Sequence, residues 1–198
     1  MEISKIWQMA RNSKFLKAAK KPLSQGVQVQ ASPKPAPTKI FFGGVLICAA
    51  VFLAYSNSFQ CPFIFDDALV IWDYAGKTVI KALWAGLRPV FTATFLLNQI
   101  VSADSPWGWH FVNVCFQALS ALVLFGLVRR TLLLESFEGY FKASAFAIAL
   151  SSALIWALHP VHTQAVTYIT QRGETMVCLF MFLLLYCMLR AEASSCRR

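Results

Sequence analysis

Ile40-Phe41-Phe42-Gly43-Gly44-Val45-Leu46-Ile47-Cys48-Ala49-Ala50-Val51-Phe52-Leu53-Ala54-Tyr55-Ser56-Asn57-Ser58-Phe59 carries no charged residue, and the chain then reaches Cys61-Pro62-Phe63-Ile64-Phe65-Asp66-Asp67. A helix rises about 1.5 Å per residue, so the apolar run is long enough to cross a hydrocarbon core of about 30 Å. Two adjacent carboxylates at the lip of such a span are either held in water for chemistry at the membrane surface or are ordinary loop acids.

The rest of the chain extends the membrane pattern. Of 198 residues, 58% are hydrophobic and only 14% are charged, where a soluble domain carries roughly 25% charged residues. Mean hydropathy is +0.57. Three further apolar segments follow, at residues 109–128, 141–158 and about 176–189. The expected fold is all-α, a polytopic membrane protein with four transmembrane helices.

The net charge of +9 does not point to nucleic acid, because its distribution is topological. If the spans alternate, fourteen Lys and Arg residues fall on the side of the N-terminus. Only Lys77, Lys81, Arg88 and Arg172 fall on the other. The positive-inside rule then puts both termini in the cytoplasm and Asp66-Asp67 on the far side. Cys48, Cys115, Cys178 and Cys187 lie within the apolar segments, where they pack as small apolar side chains. Cys61 has no evident partner in the outer compartment, so no intrachain disulfide is expected.

Three segments follow from this reading. Residues 1–39 are a basic cytoplasmic tail closed by the linker Ala31-Ser32-Pro33-Lys34-Pro35-Ala36-Pro37-Thr38, in which proline blocks helix propagation. Ile3, Ile6, Trp7 and Ala10 have the spacing of a short surface helix within that tail. Residues 40–190 form the four-span module, and 191–198 a short cytoplasmic tail. The first span is expected to be an uncleaved anchor, since the apolar run starts late and is too long for a signal peptide.

The outer loop, residues 60–108, is too apolar to float in water. Val79, Ile80, Leu83, Trp84 and Leu87 share one helical face, with Lys77, Lys81 and Arg88 placed to snorkel. Pro89 suits the first turn of a new helix, along which Phe91, Phe95 and Asn98 recur at i, i+4 and i+7. Two interfacial helices broken at Arg88-Pro89 are expected. In the second span, Asn113, Gln117 and Ser120 share a face that either packs against another helix or lines a substrate path. In the third, Ala145, Ala149, Ala153 and Ala157 form a small-residue stripe that admits a close neighbour. The fourth offers no polar face and is expected to meet lipid.

Titratable residues gather at the outer boundary: all three histidines, Asp66, Asp67, Asp73, Asp104, Glu174, Arg88 and Arg172. His159 and His162 are three apart, weak as a zinc pair without a clear third ligand. Arg172 opens a helix, where free backbone N–H groups and the dipole favour an anion. It is either a phosphate contact or a plain interfacial anchor.

Taken in order, Phe63-Ile64-Phe65-Asp66-Asp67, Arg88-Pro89 with Thr92 and Asn98, Gly108-Trp109-His110 with Asn113, and His159-Pro160-Val161-His162-Thr163-Gln164-Ala165-Val166 through Gln171-Arg172 resemble the N-terminal part of GT-C-fold membrane glycosyltransferases. The resemblance is to the tetratricopeptide-repeat-containing, O-mannosyltransferase-like group and its bacterial relatives, over about residues 40–190. It implies sugar transfer from a polyprenyl- or dolichyl-phosphate donor to an acceptor, expected to be protein, at the outer or lumenal face. By that resemblance Asp66 or Asp67 acts near the acceptor as general base, or in some relatives as ligand to a divalent metal. Arg172, His159 and His162 are the candidate donor-phosphate residues, with Arg88 and Glu174 beside them. No further cofactor is implied.

Relatives often carry His where Gln117 stands and Glu where Gln164 stands. The fold ordinarily has many more spans than four, so the remaining spans of a split transferase are an expected partner, alongside membrane lipid and lipid-linked sugar. The rival reading is a non-catalytic membrane module, a truncated remnant or a subunit of a split enzyme. A small transporter fits less well, because transport sites lie near mid-membrane and the charges here lie at the surface. A bacterial inner membrane is the favoured location, or the endoplasmic reticulum if the chain is eukaryotic.

Overall fold

The computed structural model describes residues 37–67, 88–103, 105–134, 137 and 139–195. Among them the regular structure is entirely helical. The elements are α1 (Pro37–Ala54), α2 (Pro89–Ser102), α3 (Pro106–Leu132), α4 (Ala145–Ala157), α5 (His162–Thr167) and α6 (Arg172–Ser195), with 3₁₀ turns at Ser56–Gln60 and Ile169–Gln171. The expected tail helix and the first interfacial helix, residues 77–87, lie outside the described residues.

Proline opens three of these helices. Pro37, Pro89 and Pro106 stand in the first turn, where a missing N–H costs nothing because that N–H has no intrahelical acceptor. Pro37 and Thr38, read from the sequence as linker, thus belong to α1. The break expected at Arg88-Pro89 is therefore the start of α2.

Four rods alternate in direction. An added Cβ on Gly43 of α1 would lie 3.1 Å from Phe146 and 3.5 Å from Phe125, while Phe52 meets Phe111 with ring centroids 5.6 Å apart. Hence α1 is antiparallel to α3. Phe125 meets Phe146 edge-on at 5.9 Å and Gln117 Nε2 donates to the Ala157 carbonyl at 3.1 Å, so α4 is antiparallel to α3 as well. Along α6, Arg172 meets Asn113 and Tyr186 meets Gly126, so α6 runs parallel to α3. Helices α1 and α4 run one way; α3 and α6 run the other.

Ala149, Ala153 and Ala157 are fully buried and Ala145 nearly so, packed with Ile47, Val51, Val114, Ala118 and Ala121. The alanine stripe thus does what its spacing predicts: without larger side chains the backbones of α1, α3 and α4 come close and gain dispersion contacts. At the end of α4, the Ala157 carbonyl accepts from both Tyr55 Oη (3.2 Å) and Gln117 Nε2 (3.1 Å). Helix termini leave such carbonyls unpaired, and here two other elements satisfy one of them. Helix packing, one of the two roles open for the α3 polar face, accounts for these contacts. Along α6, Val177, Phe180, Met181, Leu184 and Met188 are exposed, as a lipid-facing helix requires.

Three helical segments are long and apolar enough to cross a membrane: Pro37–Ala54, Pro106–Leu132 and Ile169–Glu192. The expected third span of four is shorter than its apolar run. Only 13 residues of it are α-helical, about 20 Å at the helical rise. Residues 139–144 turn instead, from Gly139 at φ +78 through the Ser144 N–H to Phe141 carbonyl bond. At the other end Pro160 disfavours helical geometry at His159. By length, then, the count is three.

Candidate functional site

The end of the bundle where α3 and α6 begin is polar inside. Ile169–Gln171 tightens into a 3₁₀ turn and delivers Arg172 to the first turn of α6, where its side chain is fully buried. Two asparagines hold it. Asn113 Oδ1 accepts from Nε at 2.6 Å and Asn98 Oδ1 accepts from Nη2 at 2.7 Å. The carbonyls of Thr94 and Trp109 accept from Nη1 and Nη2 at 3.3 Å each. The guanidinium lies over Phe95 at 4.5 Å and Trp109 at 5.5 Å from the ring centroids. Every acceptor is neutral, so charge-assisted bonds and two ring faces, rather than an ion pair, offset the cost of burying the cation.

The asparagines are themselves fixed from behind. Asn98 Nδ2 donates to Ser102 Oγ at 3.0 Å, and Asn113 Nδ2 donates to the Val166 carbonyl at 3.2 Å. Both amide oxygens therefore face the cation. Gly108 is needed for this arrangement. A Cβ there would overlap the Ser102 hydroxyl and come within 2.7 Å of Ser102 Cβ, forcing α2 away from α3.

The two first-loop carboxylates diverge. Phe65 takes φ +49, a left-handed bend unusual for a bulky residue, and beyond it Asp66 is exposed while Asp67 is 1% exposed. Asp67 Oδ1 accepts the Thr170 N–H at 3.0 Å, and the Asp66 N–H donates to Tyr168 Oη at 3.3 Å. The loop that follows α1 is thereby joined to the segment between α5 and α6, about a hundred residues further along the chain. That juxtaposition is the one a shared site requires.

His110 lies beneath the loop, 2% exposed, with Nε2 at 3.2 Å from the Cys61 carbonyl. A carbonyl partner makes Nε2 the N–H donor, so in the neutral ring Nδ1 is the lone-pair nitrogen. Nδ1 has no hydrogen-bond partner among the described residues.

His159 and His162 make their contacts elsewhere, where α4 gives way to α5. His159 Nδ1 accepts the Val161 N–H at 3.2 Å. His162 packs on Trp156 with centroids 4.5 Å apart. Burial, and secondarily His159, holds the His162 imidazole below its ordinary pKa. Arg88 and Glu174 are exposed and border a groove between the starts of α2 and α6. Among the described residues, no three His, Cys, Asp or Glu side chains gather as a metal site.

Sequence reasoning singled out the carboxylates, Arg172, Asn98 and Asn113, but not the contacts that join them. Thr94, Asn98, Asn113, Tyr168 and Thr170 act through contacts between elements 55 to 103 residues apart. Proximity of this kind leaves no local pattern.

The sequence is similar to animal protein O-mannosyl-transferases. It is 29% identical over 153 residues to Protein O-mannosyl-transferase TMTC3 of Mus musculus, covering 68% of this chain and 15% of that protein. It is 34% identical over 154 residues to Protein O-mannosyl-transferase F38B6.6 of Caenorhabditis elegans, covering 69% and 21%. Protein O-mannosyl-transferase TMTC1 of Homo sapiens is 29% identical over 157 residues, covering 70% and 17%. The chain thus spans only 15% to 21% of the length of these relatives. No family model and no solved structure matches it.

Proposed function

We propose that this chain is the front part of a GT-C-type protein glycosyltransferase that moves mannose from a polyprenyl-phosphate donor to a protein hydroxyl at the lumenal membrane face. The observation that carries the reading is the Asp67–Thr170 bond at 3.0 Å. It brings the first-loop carboxylates to the end of the bundle where a cation is buried. The similarity to proteins named O-mannosyl-transferases supports the reaction class and suggests the sugar.

In this reading Asp66 is the base. Its carboxylate takes the proton of the acceptor hydroxyl as that oxygen bonds to the sugar C1. The bond from C1 to the phosphate oxygen breaks, and the lipid phosphate leaves with the electron pair. Asp67 acts as a positioning residue, tethering the loop to Thr170. Arg172 lies behind the site and supplies fixed positive potential near the departing phosphate, which lowers the barrier when charge develops.

Four helices cross the bilayer in this reading, with α4 as a short fourth span, because α4 reaches from the Phe125 level of α3 to the Gln117 level. Both tails then face the cytoplasm. The named relatives are animal proteins, which lends nothing to a bacterial inner membrane. We assign the chain to the endoplasmic reticulum membrane instead.

The test is mannose turnover from dolichyl-phosphate mannose by membranes carrying this chain together with the remaining spans of a relative. Turnover that vanishes in Asp66→Asn at equal membrane abundance supports catalysis. Membranes that stay inert with those spans present leave the non-catalytic module as the reading.

A further inference from the structure

An open groove of about 400 Å3 lies between the first turn of α2 and the first three turns of α6. Phe91, Met176, Val177 and Phe180 are among its apolar lining, and Arg88 and Glu174 are its charged lining. Gly173 lets the two helices meet there: a Cβ on it would lie 3.7 Å from Phe91 and 3.8 Å from Arg88 Nη1. Val177 is 64% and Phe180 48% exposed, so the groove opens sideways, toward lipid if α6 crosses the bilayer.

The chemistry at its head is specific. The Arg88 guanidinium is exposed and makes no ion pair or hydrogen bond among the described residues. Arg172 is fully buried, with both asparagine oxygens already on it, and presents no face to a surface ligand. An exposed planar cation above an apolar trough matches an amphiphile with an anionic head. The Glu174 carboxylate, which lines the same groove, accepts hydrogen bonds from hydroxyls and repels a second negative charge. A phosphodiester bearing a sugar carries one charge and many hydroxyls, whereas a phosphate monoester approaches two charges.

We propose that this groove binds the donor: Arg88 on the phosphodiester, Glu174 on sugar hydroxyls, and Phe91, Met176, Val177 and Phe180 against the first isoprene units. The sugar rests on the glycosyl-transfer reading, but the preference for an apolar anion does not. The same head group favours the intact donor over the polyprenyl monophosphate that transfer leaves behind, which aids product release.

The 198-residue chain in phosphatidylcholine nanodiscs is titrated with citronellyl mannosyl phosphate, citronellyl phosphate and citronellol. The mannosyl phosphodiester is expected to bind most tightly. Arg88→Gln is expected to weaken it about tenfold or more, the loss of one charge-assisted bond, with citronellol unaffected. Val177→Trp, which fills the trough, is expected to weaken all three. Glu174→Gln is expected to narrow the preference for the phosphodiester over the monophosphate. All three positions are exposed, so an unchanged thermal midpoint checks folding.

Undiminished binding in both Arg88→Gln and Val177→Trp overturns the proposal. So does equal displacement of the probe by phosphatidic acid, which makes the groove a seat for ordinary anionic lipid, or by inorganic phosphate, which makes it a free-anion site. Saturable, Arg88-dependent binding, with no mannose turnover once the remaining spans of a relative are supplied, sustains the groove and defeats the transferase reading. Turnover that needs Asp66 but not Arg88 does the reverse.

Discussion

Asn113 and Arg172 meet through the shortest hydrogen bond of the buried cluster, 2.6 Å from Oδ1 to Nε, although 59 residues separate them. The bond joins the second turn of α3 to the first turn of α6. It also turns the amide so that Nδ2 reaches the Val166 and Tyr168 carbonyls at 3.2 and 3.4 Å. One side chain thus holds the cation and the segment leading to it.

Asn113→Leu removes an acceptor from a buried charge, a loss of about 1–3 kcal/mol or more. The thermal midpoint of the detergent-solubilised chain should fall markedly. Arg172→Met in the same background removes the stranded charge and should recover part of the loss, since an apolar replacement of a buried polar pair is often close to neutral. A double-mutant cycle measures the coupling. Strictly additive effects would mean that the 2.6 Å contact carries no stability.

Most of the scaffold is legible in the residues themselves. Pro89 marks the start of α2 because its ring disfavours any deeper helical position. The four alanines mark the buried face of α4 because their spacing of four lines up on one side of a helix. The adjacency of Asp66-Asp67 to the α5–α6 segment follows once α1 and α4 run the same way. The depth of Arg172 was not legible. Hydropathy locates a charge along the chain, at the edge of an apolar run, but not radially, and its acceptors arrive from α2 and α3. The short length of α4 was half legible: Pro160 announces one end, whereas the turns after Gly139 replace an apolar stretch that reads as helix.

Acid should loosen the corner where α4 meets α5. Burial, with His159 adding to it, lowers the His162 pKa below its ordinary 6.5, so the unfolded chain takes up a proton first as pH falls. Stability from this group is fully present above about 6.5 and is lost as pH falls through the folded-state value. Thermal midpoints between pH 8 and pH 5 should therefore decline with acidity. In His162→Phe, which keeps an aromatic ring against Trp156, the decline should be shallower. An identical slope in the variant would assign the acid sensitivity to other groups.

Alternating rods have a topological consequence that labelling reads directly. Ser105 precedes α3 at the Arg172 end, and Ser194 lies in the last turn of α6, a helix parallel to α3. Single cysteines at these positions, in a chain with its native cysteines replaced, should label from opposite sides of sealed vesicles. Ser105→Cys should react from the lumenal side and Ser194→Cys from the cytoplasmic side. Labelling of both from one side would require that α3 and α6 do not both cross the bilayer.

The two carboxylates should separate by experiment as they do in space. Asp66 is exposed and is joined to the α5–α6 segment through its backbone N–H, so Asp66→Asn leaves that link intact and removes only the base. Transfer should fall by about 10²–10⁴, the ordinary range for a lost general base, with an unchanged thermal midpoint. Asp67 is buried with Oδ1 on the Thr170 N–H. An amide oxygen can still accept that bond, so Asp67→Asn should retain the fold and part of the activity. Asp67→Ala, which strands the N–H, should lower both the midpoint and transfer together. If Asp67→Asn instead abolishes transfer while Asp66→Asn retains it, the buried carboxylate is the base and the exposed one is the loop acid.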